Sequence, residues 1–362
     1  MDPVNVGIVG CGNISPIYIE NLSNFPATRV VAVADLDPNR ARERASAYGI
    51  PRAGAPGVVL DDPDIAVVVN LTVPKAHAEV AFQALNAGKH VYNEKPLAVS
   101  RADGADMLRI AGEHNLRVGA APDTFLGAGI QTCRELIDQG AIGTPVAGHA
   151  SMLCHGHESW HPSPEFYYEI GGGPLFDMGP YYLTALVALL GPIRRVAGAT
   201  AVTFPTRTIT SEPKKGRTIA VETPTHLAAV LDFAAGPIVQ LTTSFDIWGH
   251  TQPCIEIYGS EGSLSVPDPN GFGGPVRLCR AGGEWHEVGL DRAYAQNSRG
   301  LGVLDMVLAE AEGRPHRASG GLAFHVLDVM HAVGESSDQG RHIDIHSGFE
   351  APAPLPKEGL SA

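Results

Sequence analysis

Three stretches of this sequence carry side chains that could do chemistry. The first is Glu94-Lys95-Pro96, which directly follows the strand-like run His90-Val91-Tyr92-Asn93. A lysine at the end of a central strand can donate hydrogen bonds to a substrate oxygen and stabilise alkoxide charge as it develops. Pro96 stiffens the turn behind it. The plainer reading is a Glu–Lys ion pair near the surface. The second stretch runs from Gly171-Gly172-Gly173-Pro174 to Tyr182. Asp177 and Tyr181 stand four apart in it, which puts both on one face if the segment is a single helix. Pro180 sits badly inside such a helix, so the spacing predicts a kink or a late start; an Asp in a first turn is also a common cap. The third is His155-Gly156-His157-Glu158-Ser159-Trp160-His161. Its histidines lack a helical pair or a Cys-x-x-Cys partner, so no metal is expected. With Phe166-Tyr167-Tyr168 it reads as a polyol-binding or lid segment, in which His155, Trp160 and His161 would touch substrate. An oligomer contact is the competing reading.

The elements that must position these groups begin at the N-terminus. Val4, Val6, Ile8 and Val9 form a β-branched run typical of a buried parallel strand. Gly10 then permits a tight turn, Gly12 leaves room for a pyrophosphate, and a helix from Ile14 would aim its free N–H groups at that anion. Ser15 takes the place usually held by a third glycine or alanine. A second strand, Arg29 to Ala34, ends on Asp35, where a carboxylate can bind both hydroxyls of an adenine ribose. Strands at 65–69, 90–93 and 117–121 alternate with helices at 39–48, 77–87 and 100–114, the doubly wound pattern. The loop Asn70-Leu71-Thr72-Val73-Pro74 falls at a strand's carboxyl end, where such sheets bind ligands.

Beyond about Pro122 the pattern changes. A helix is expected over 125–139, then strands at 145–154, 193–204, 225–233, 238–247, 254–259, 263–266 and 276–280, with hairpin turns at Ala234-Ala235-Gly236-Pro237 and Gly259-Ser260-Glu261-Gly262. Helices at 175–190, 301–312 and 321–335 complete this half. The expected architecture is α/β, with a domain over 1–122, a second over 123–350 containing a mostly antiparallel sheet, and a loose tail at 351–362.

Bulk properties narrow the class. A chain of 362 residues with 44% hydrophobic and 18% charged residues can bury a substantial core. A net charge of −13 argues against nucleic acid or an anionic membrane as partner. No apolar run approaches a membrane span and none resembles a signal peptide, so a cytoplasmic location is expected. Five scattered cysteines fit reduced thiols.

On Gly10-Cys11-Gly12, Asp35, the Val73-Pro74 loop with His77, Glu94-Lys95-Pro96 and the Gly171–Tyr181 segment, the chain resembles the glucose-fructose oxidoreductase / inositol dehydrogenase (Gfo/Idh/MocA) family. The resemblance implies an N-terminal Rossmann sheet, and a C-terminal α/β domain whose large open-faced sheet makes homodimers or homotetramers. It implies NAD held by Gly10, Gly12, Asn13, Ile14, Asp35, Thr72, Pro74, His77, Glu94, Lys95 and Pro96. Lys95 would be the catalytic lysine, and Asp177 a contact at the catalytic site. Relatives carry Asp-x-x-x-His where this chain has Tyr181, so three proton acceptors stand open: Tyr181 with its pKa lowered by Lys95, Lys95 alone, or His161. Lys95 with Tyr181 is the expected pair. The implied activity is NAD-dependent oxidation of a secondary hydroxyl on a sugar, polyol or glycoside lying between the nicotinamide and the 175–190 helix. Asp35 favours NAD over NADP, although Arg40 is near. The alternatives are a glycoside-cleaving or epimerising enzyme with tightly bound NAD and a transient ketone, or a non-catalytic sensor. Arg299 and His316 are further candidate substrate contacts.

Overall fold

The computed structural model describes residues 2–361, which divide into two compact units. One holds the chain through Ala128, Asp291–Leu327 and the segment from Pro352 on; the other holds Gly129–Leu290 and Asp328–Ala351.

The first unit alternates β1 (Val4–Val9), α1 (Ser15–Asn24), β2 (Thr28–Ala34), α2 (Pro38–Tyr48), β3 (Arg52–Gly54), α3 (Gly57–Leu60), β4 (Val67–Asn70), α4 (His77–Asn86), β5 (His90–Asn93), α5 (Arg101–Glu113) and β6 (Val118–Ala120). The six strands are parallel in the order β3-β2-β1-β4-β5-β6. Strand order reverses between β1 and β4, the place where such sheets leave a crevice for ligand. Val6, Ile8, Val68 and Val69 are completely buried, which is why their strands read as apolar runs without alternation. Local signals set the helix ends. The Asp37 carboxylate accepts the Asn39 amide at 3.0 Å, and Gly49, at φ 67°, stops α2.

The second unit is built on α6 (Ala128–Asp138), β7 (Pro145–Leu153), α7 (Gly173–Asp177), α8 (Gly179–Leu190), β8 (Ile193–Ala201), β9 (Thr206–Thr208), β10 (Thr218–Ala220), β11 (His226–Phe233), β12 (Ile238–Ser244), β13 (Ile255–Gly259), β14 (Gly262–Val266), β15 (Val276–Arg280) and β16 (His286–Val288). After α9 (Leu301–Glu312) and α10 (Gly320–Gln339), β17 (Ile343–Asp344) closes the sheet. The order is β16-β15-β14-β13-β7-β12-β11-β8-β17, and only β7 and β12 run parallel. Leu227, Ala229 and Leu231 of β11 face the core while Ala228 and Val230 between them are exposed, the period-2 signature of a half-buried sheet. Every residue of α8 is buried, so that helix shows no polar face.

Four expectations need correction. The helix expected from Phe125 starts at Ala128, because Gly127 is extended after a single 3-10 turn over Thr124–Leu126. The helix expected over 175–190 is two helices broken at Met178: Pro180 has no N–H to continue the ladder and opens the first turn of α8 instead. Asp177 therefore ends one helix and Tyr181 begins the next. Residues 291–327 belong with the first unit, not with 123–350. The Asp123 carboxylate accepts the amides of Gly300 and Gly302, both at 2.9 Å, at the start of α9, and His316 Nε2 lies 3.1 Å from the Val118 carbonyl oxygen beside β6. Finally, residues 352–361 are not loose. Leu355 is buried, Arg292 donates to its carbonyl at 3.0 Å, and the Leu360 amide donates to the Tyr294 hydroxyl at 2.9 Å. Among the described residues no helix is long and apolar enough to cross a membrane.

Asp123 is 1% exposed and its Oδ1 has no partner among the described residues, so burial pushes its pKa from 3.8 up to about 6. A proton on this group stabilises the fold fully below pH 3.8, and that stabilisation is lost as the pH rises through 6. At roughly 1.36 kcal/mol per pH unit the effect is about 3 kcal/mol. Asp123→Asn keeps an acceptor for both amides but does not ionise. Urea unfolding should therefore show the variant gaining up to about 3 kcal/mol relative to wild type between pH 4 and 7; a difference that stays flat would refute the assignment.

Candidate functional site

At the carboxyl edge of the first sheet, Gly10 adopts φ 103° and donates its amide to the Ala34 carbonyl at 2.8 Å. A Cβ there would lie 2.6 Å from the Leu71 carbonyl, so only glycine fits. A Cβ on Gly12 would meet nothing within 4 Å: it would enter open space at the mouth of α1. Ile14 caps that helix without a side-chain bond, the Ser15 amide turns back to the Gly12 carbonyl at 3.2 Å, and Pro16 has no N–H to offer. Asp35 accepts the Cys11 amide on Oδ2 and the Asp37 amide on Oδ1, both at 2.9 Å, with Arg40 3.6 Å from Oδ1. These groups line a cavity of about 440 Å³ that takes in Gly10, Gly12, Asp35, Thr72 and Val73. Open space at Gly12, at the start of α1, and the Asp35 carboxylate fit a dinucleotide.

Of the other residues expected to hold it, Asn13, Ile14, Pro74, His77, Glu94, Lys95 and Pro96 lie outside that lining. His77 is completely buried, with Nδ1 2.7 Å from the Pro96 carbonyl and Nε2 3.0 Å from that of Thr72. It clamps the Thr72–Pro74 loop to the lysine turn rather than facing the cavity. Burial lowers its pKa, with the two carbonyls opposing. Beneath it, Asn70 donates to the His77 carbonyl at 3.1 Å and to Asn93 Oδ1 at 3.0 Å, and accepts the Thr72 hydroxyl at 2.6 Å. Asn70 and Asn93 carry no sequence signal beyond their place at strand ends.

Glu94 is a buried carboxylate. Its Oε2 accepts the Lys95 amide at 2.8 Å and its Oε1 accepts the Tyr18 hydroxyl at 2.9 Å. Tyr18 lies on α1 with no exposed surface, and burial drives its pKa well up, so it stays a neutral donor. One carboxylate thus ties the helix that follows the glycine turn to the turn that carries Lys95, which is half-buried.

In the second unit, Asp177 at the end of α7 meets a residue that spacing did not single out. His157 Nε2 lies 3.1 Å from Asp177 Oδ2, and the two side chains are 12% and 14% exposed. The imidazole is ringed by Tyr167 at 4.2 Å, Phe245 at 4.7 Å and Trp160 at 5.2 Å between centroids. Its loop is anchored from below. Glu158, buried, accepts Arg207 Nη1 at 2.8 Å and the Tyr168 hydroxyl, while its carbonyl accepts the Thr210 and Ser211 amides. Arg207 in turn donates to the Phe245 carbonyl at 2.9 Å and pairs with Asp246. A buried network of this kind makes the loop a fixed wall, not a lid.

The remaining expected contacts separate. His155 stacks on the exposed Trp248, with ring centroids 3.4 Å apart. Trp160 is exposed, and His161 accepts the Ser163 amide on Nδ1 at 3.0 Å, its pKa lowered by burial. Tyr181 is buried in the first turn of α8. His316 faces the sheet of the first unit, and desolvation pushes it down to about 4. Among the described residues no three His, Cys, Asp or Glu side chains group to hold a metal.

Comparison with known proteins follows the same division. Residues 4–121 match the family described as oxidoreductase family, NAD-binding Rossmann fold, and residues 130–265 match the GFO/IDH/MocA C-terminal domain. Myo-inositol 2-dehydrogenase of Thermotoga maritima is 24% identical over 264 residues, 72% of this chain and 74% of that one. A dTDP-3,4-didehydro-2,6-dideoxy-alpha-D-glucose 3-reductase of Streptomyces violaceoruber is 34% identical over 199 residues, 54% of this chain and 57% of its own length. Levoglucosan dehydrogenase, solved with NADH and levoglucosan, shares the fold at a TM-score of 0.82 and 22% identity, over 95% of this chain and 99% of that one.

The two glycines of the turn make opposite predictions. Gly12→Val should fold normally and weaken NAD binding by tenfold or more, about 1.4 kcal/mol, in titration calorimetry. Gly10→Ala should lower the melting temperature whether or not NAD is added. Unaltered NAD affinity in Gly12→Val would remove the pyrophosphate from this turn.

Proposed function

The chain belongs to the Gfo/Idh/MocA family of NAD-binding oxidoreductases, and from that premise we propose that it oxidises a secondary hydroxyl of a sugar, polyol or glycoside and reduces the matching ketone. The observation that carries this reading is the Lys95 turn. It sits at the carboxyl end of β5 in the unit that holds the nucleotide turn, fixed through Glu94 to the helix of that turn. Bound NAD supplies the hydride acceptor. Lys95 donates to the reacting oxygen and stabilises the charge that grows there as its proton leaves. Asp177 and Tyr181 hold the substrate's hydroxyls, and His155, Trp160 and His161 offer the aromatic faces and ring nitrogens that suit a pyranose or cyclitol. Asp35 selects NAD over NADP, since a 2′-phosphate would meet its carboxylate. The names of the relatives, an inositol dehydrogenase and a levoglucosan dehydrogenase among them, support the substrate class.

A panel of sugars and polyols, assayed for NADH formation, tests the reading. Lys95→Met should lower kcat by about 10²–10³-fold on the best substrate while NAD affinity stays within a few-fold. Full turnover in that variant would overturn the role of the lysine. We also place the protein in the cytoplasm as a homodimer or homotetramer. The open face of the large sheet carries Val230 and Ile238 in exposed positions, an apolar surface suited to a second copy. Sedimentation should report an oligomer for the wild type and a smaller species for Ile238→Lys; a monomeric wild type would refute this.

A further inference from the structure

We propose that Arg44 supplies the positive charge that favours the dinucleotide's pyrophosphate at the glycine turn. The inference rests on NAD binding by the first unit and involves that unit alone.

A pyrophosphate is dianionic, and a nucleotide turn meets it with the N–H groups at the start of its helix. Here that supply is short. Gly10 gives its amide to the Ala34 carbonyl, Cys11 to Asp35 Oδ2 and Ser15 to the Gly12 carbonyl, and Pro16 has no N–H. The Asp35 carboxylate, bonded to the Cys11 amide, adds a negative charge beside the turn. The carbonyl oxygens of Cys11 and Gly12 carry partial negative charge as well, which repels an anion. A counter-charge is needed.

Two arginines of α2 lie near enough to provide one. Arg40 lines the cavity, but it sits 3.6 Å from Asp35 Oδ1 and already pairs with that carboxylate. Arg44, one helical turn further on, is half-buried and reaches the turn itself. Its Nη2 lies 3.4 Å from the carbonyl oxygens of both Cys11 and Gly12, a long and shared contact. Its Nε is buried, and among the described residues neither a hydrogen-bond acceptor for that atom nor a carboxylate for the guanidinium is present. The nearest titratable side chain is Tyr48, whose hydroxyl donates to Glu20 of α1 at 3.0 Å. Buried charges are paired as a rule, and 39 acidic residues stand against 26 basic ones in this chain, so an unpaired guanidinium at this place calls for an anion from outside.

The field of Arg44 is felt at the turn. Burial and then Asp35 push the Cys11 thiol up to about 11, and Arg44 opposes them more strongly than Arg40 does. Gly12, with nothing within 4 Å of where a Cβ would stand, leaves room for a phosphate next to the carbonyl that Arg44 holds. Arg44 is therefore a positioning residue. It offsets the turn's carbonyl dipoles from behind and leaves a net positive charge where the pyrophosphate settles.

The test measures dissociation constants of the full chain for ADP-ribose, NAD and adenosine by titration calorimetry, in wild type, Arg44→Met and Arg44→Lys, with melting temperature as the control for folding. Arg44→Met should lose about tenfold on ADP-ribose and NAD and stay within twofold on adenosine, which has no phosphate. Arg44→Lys restores the charge and should stay within threefold of wild type on all three. The gap between wild type and Arg44→Met should narrow as NaCl is raised from about 0.05 M to about 1 M. A merely structural role would weaken adenosine as much as ADP-ribose. That result overturns the proposal, as does an Arg44→Met variant within threefold of wild type on ADP-ribose, or a lysine variant as weak as the methionine one. ADP-ribose has no nicotinamide ring, so the outcome does not depend on the sugar or polyol proposed as substrate. A wild type that binds none of the three overturns this proposal and the NAD reading together.

Discussion

The buried carboxylate of Glu94 is the constraint on which the placing of the lysine turn depends. It has two strong acceptor positions, one filled by the Tyr18 hydroxyl from α1 and the other by the Lys95 amide. Hydrogen bonds to a charged group contribute about 1.5–3 kcal/mol each, and a buried carboxylate without them would be costly. Movement of the nucleotide helix and movement of the lysine turn are therefore coupled through one side chain. His77 adds a second tie, from Pro96 to the Thr72 loop on the facing strand. The turn that carries Lys95 is thus held from both sides.

In the second unit the comparable device is Arg207, with Glu158 and Asp246 as its carboxylate partners. Buried ion groups of this sort contribute little net stability, because desolvation offsets their attraction. What the network does here is geometric. It gives a loop without regular structure a single conformation and delivers His157 against Asp177. The short pair β9 and β10 exists to carry Arg207 to that position.

Much of the fold was legible because its signals are local. A β-branched run ending in Gly10, a cap at Asp37, a stop at Gly49 and alternation along β11 each act within a few residues. The candidate site was legible only where a strand end marks it, as at Asp35 and Lys95. His157 and Asp177 lie twenty residues apart on elements that packing alone brings together, so no spacing rule reaches the pair. Pro180 announced trouble in its helix, and the structure resolves it as a clean break. The return of residues 291–327 to the first unit was invisible for the same reason as the dyad: Asp123 reaches the Gly300 and Gly302 amides across a gap in sequence that no pattern spans.

That return has a consequence for how the molecule is made. The first unit starts at the N-terminus, yet it is complete only when Leu355 and the strands of backbone around it have been translated. The second unit in turn needs Asp328–Ala351, which follows α9, so each unit is interrupted by a segment of the other. The unit that carries the nucleotide turn is thus closed only by the segment from Pro352, and a nascent chain cut short before it would carry its glycine turn on an unsealed scaffold.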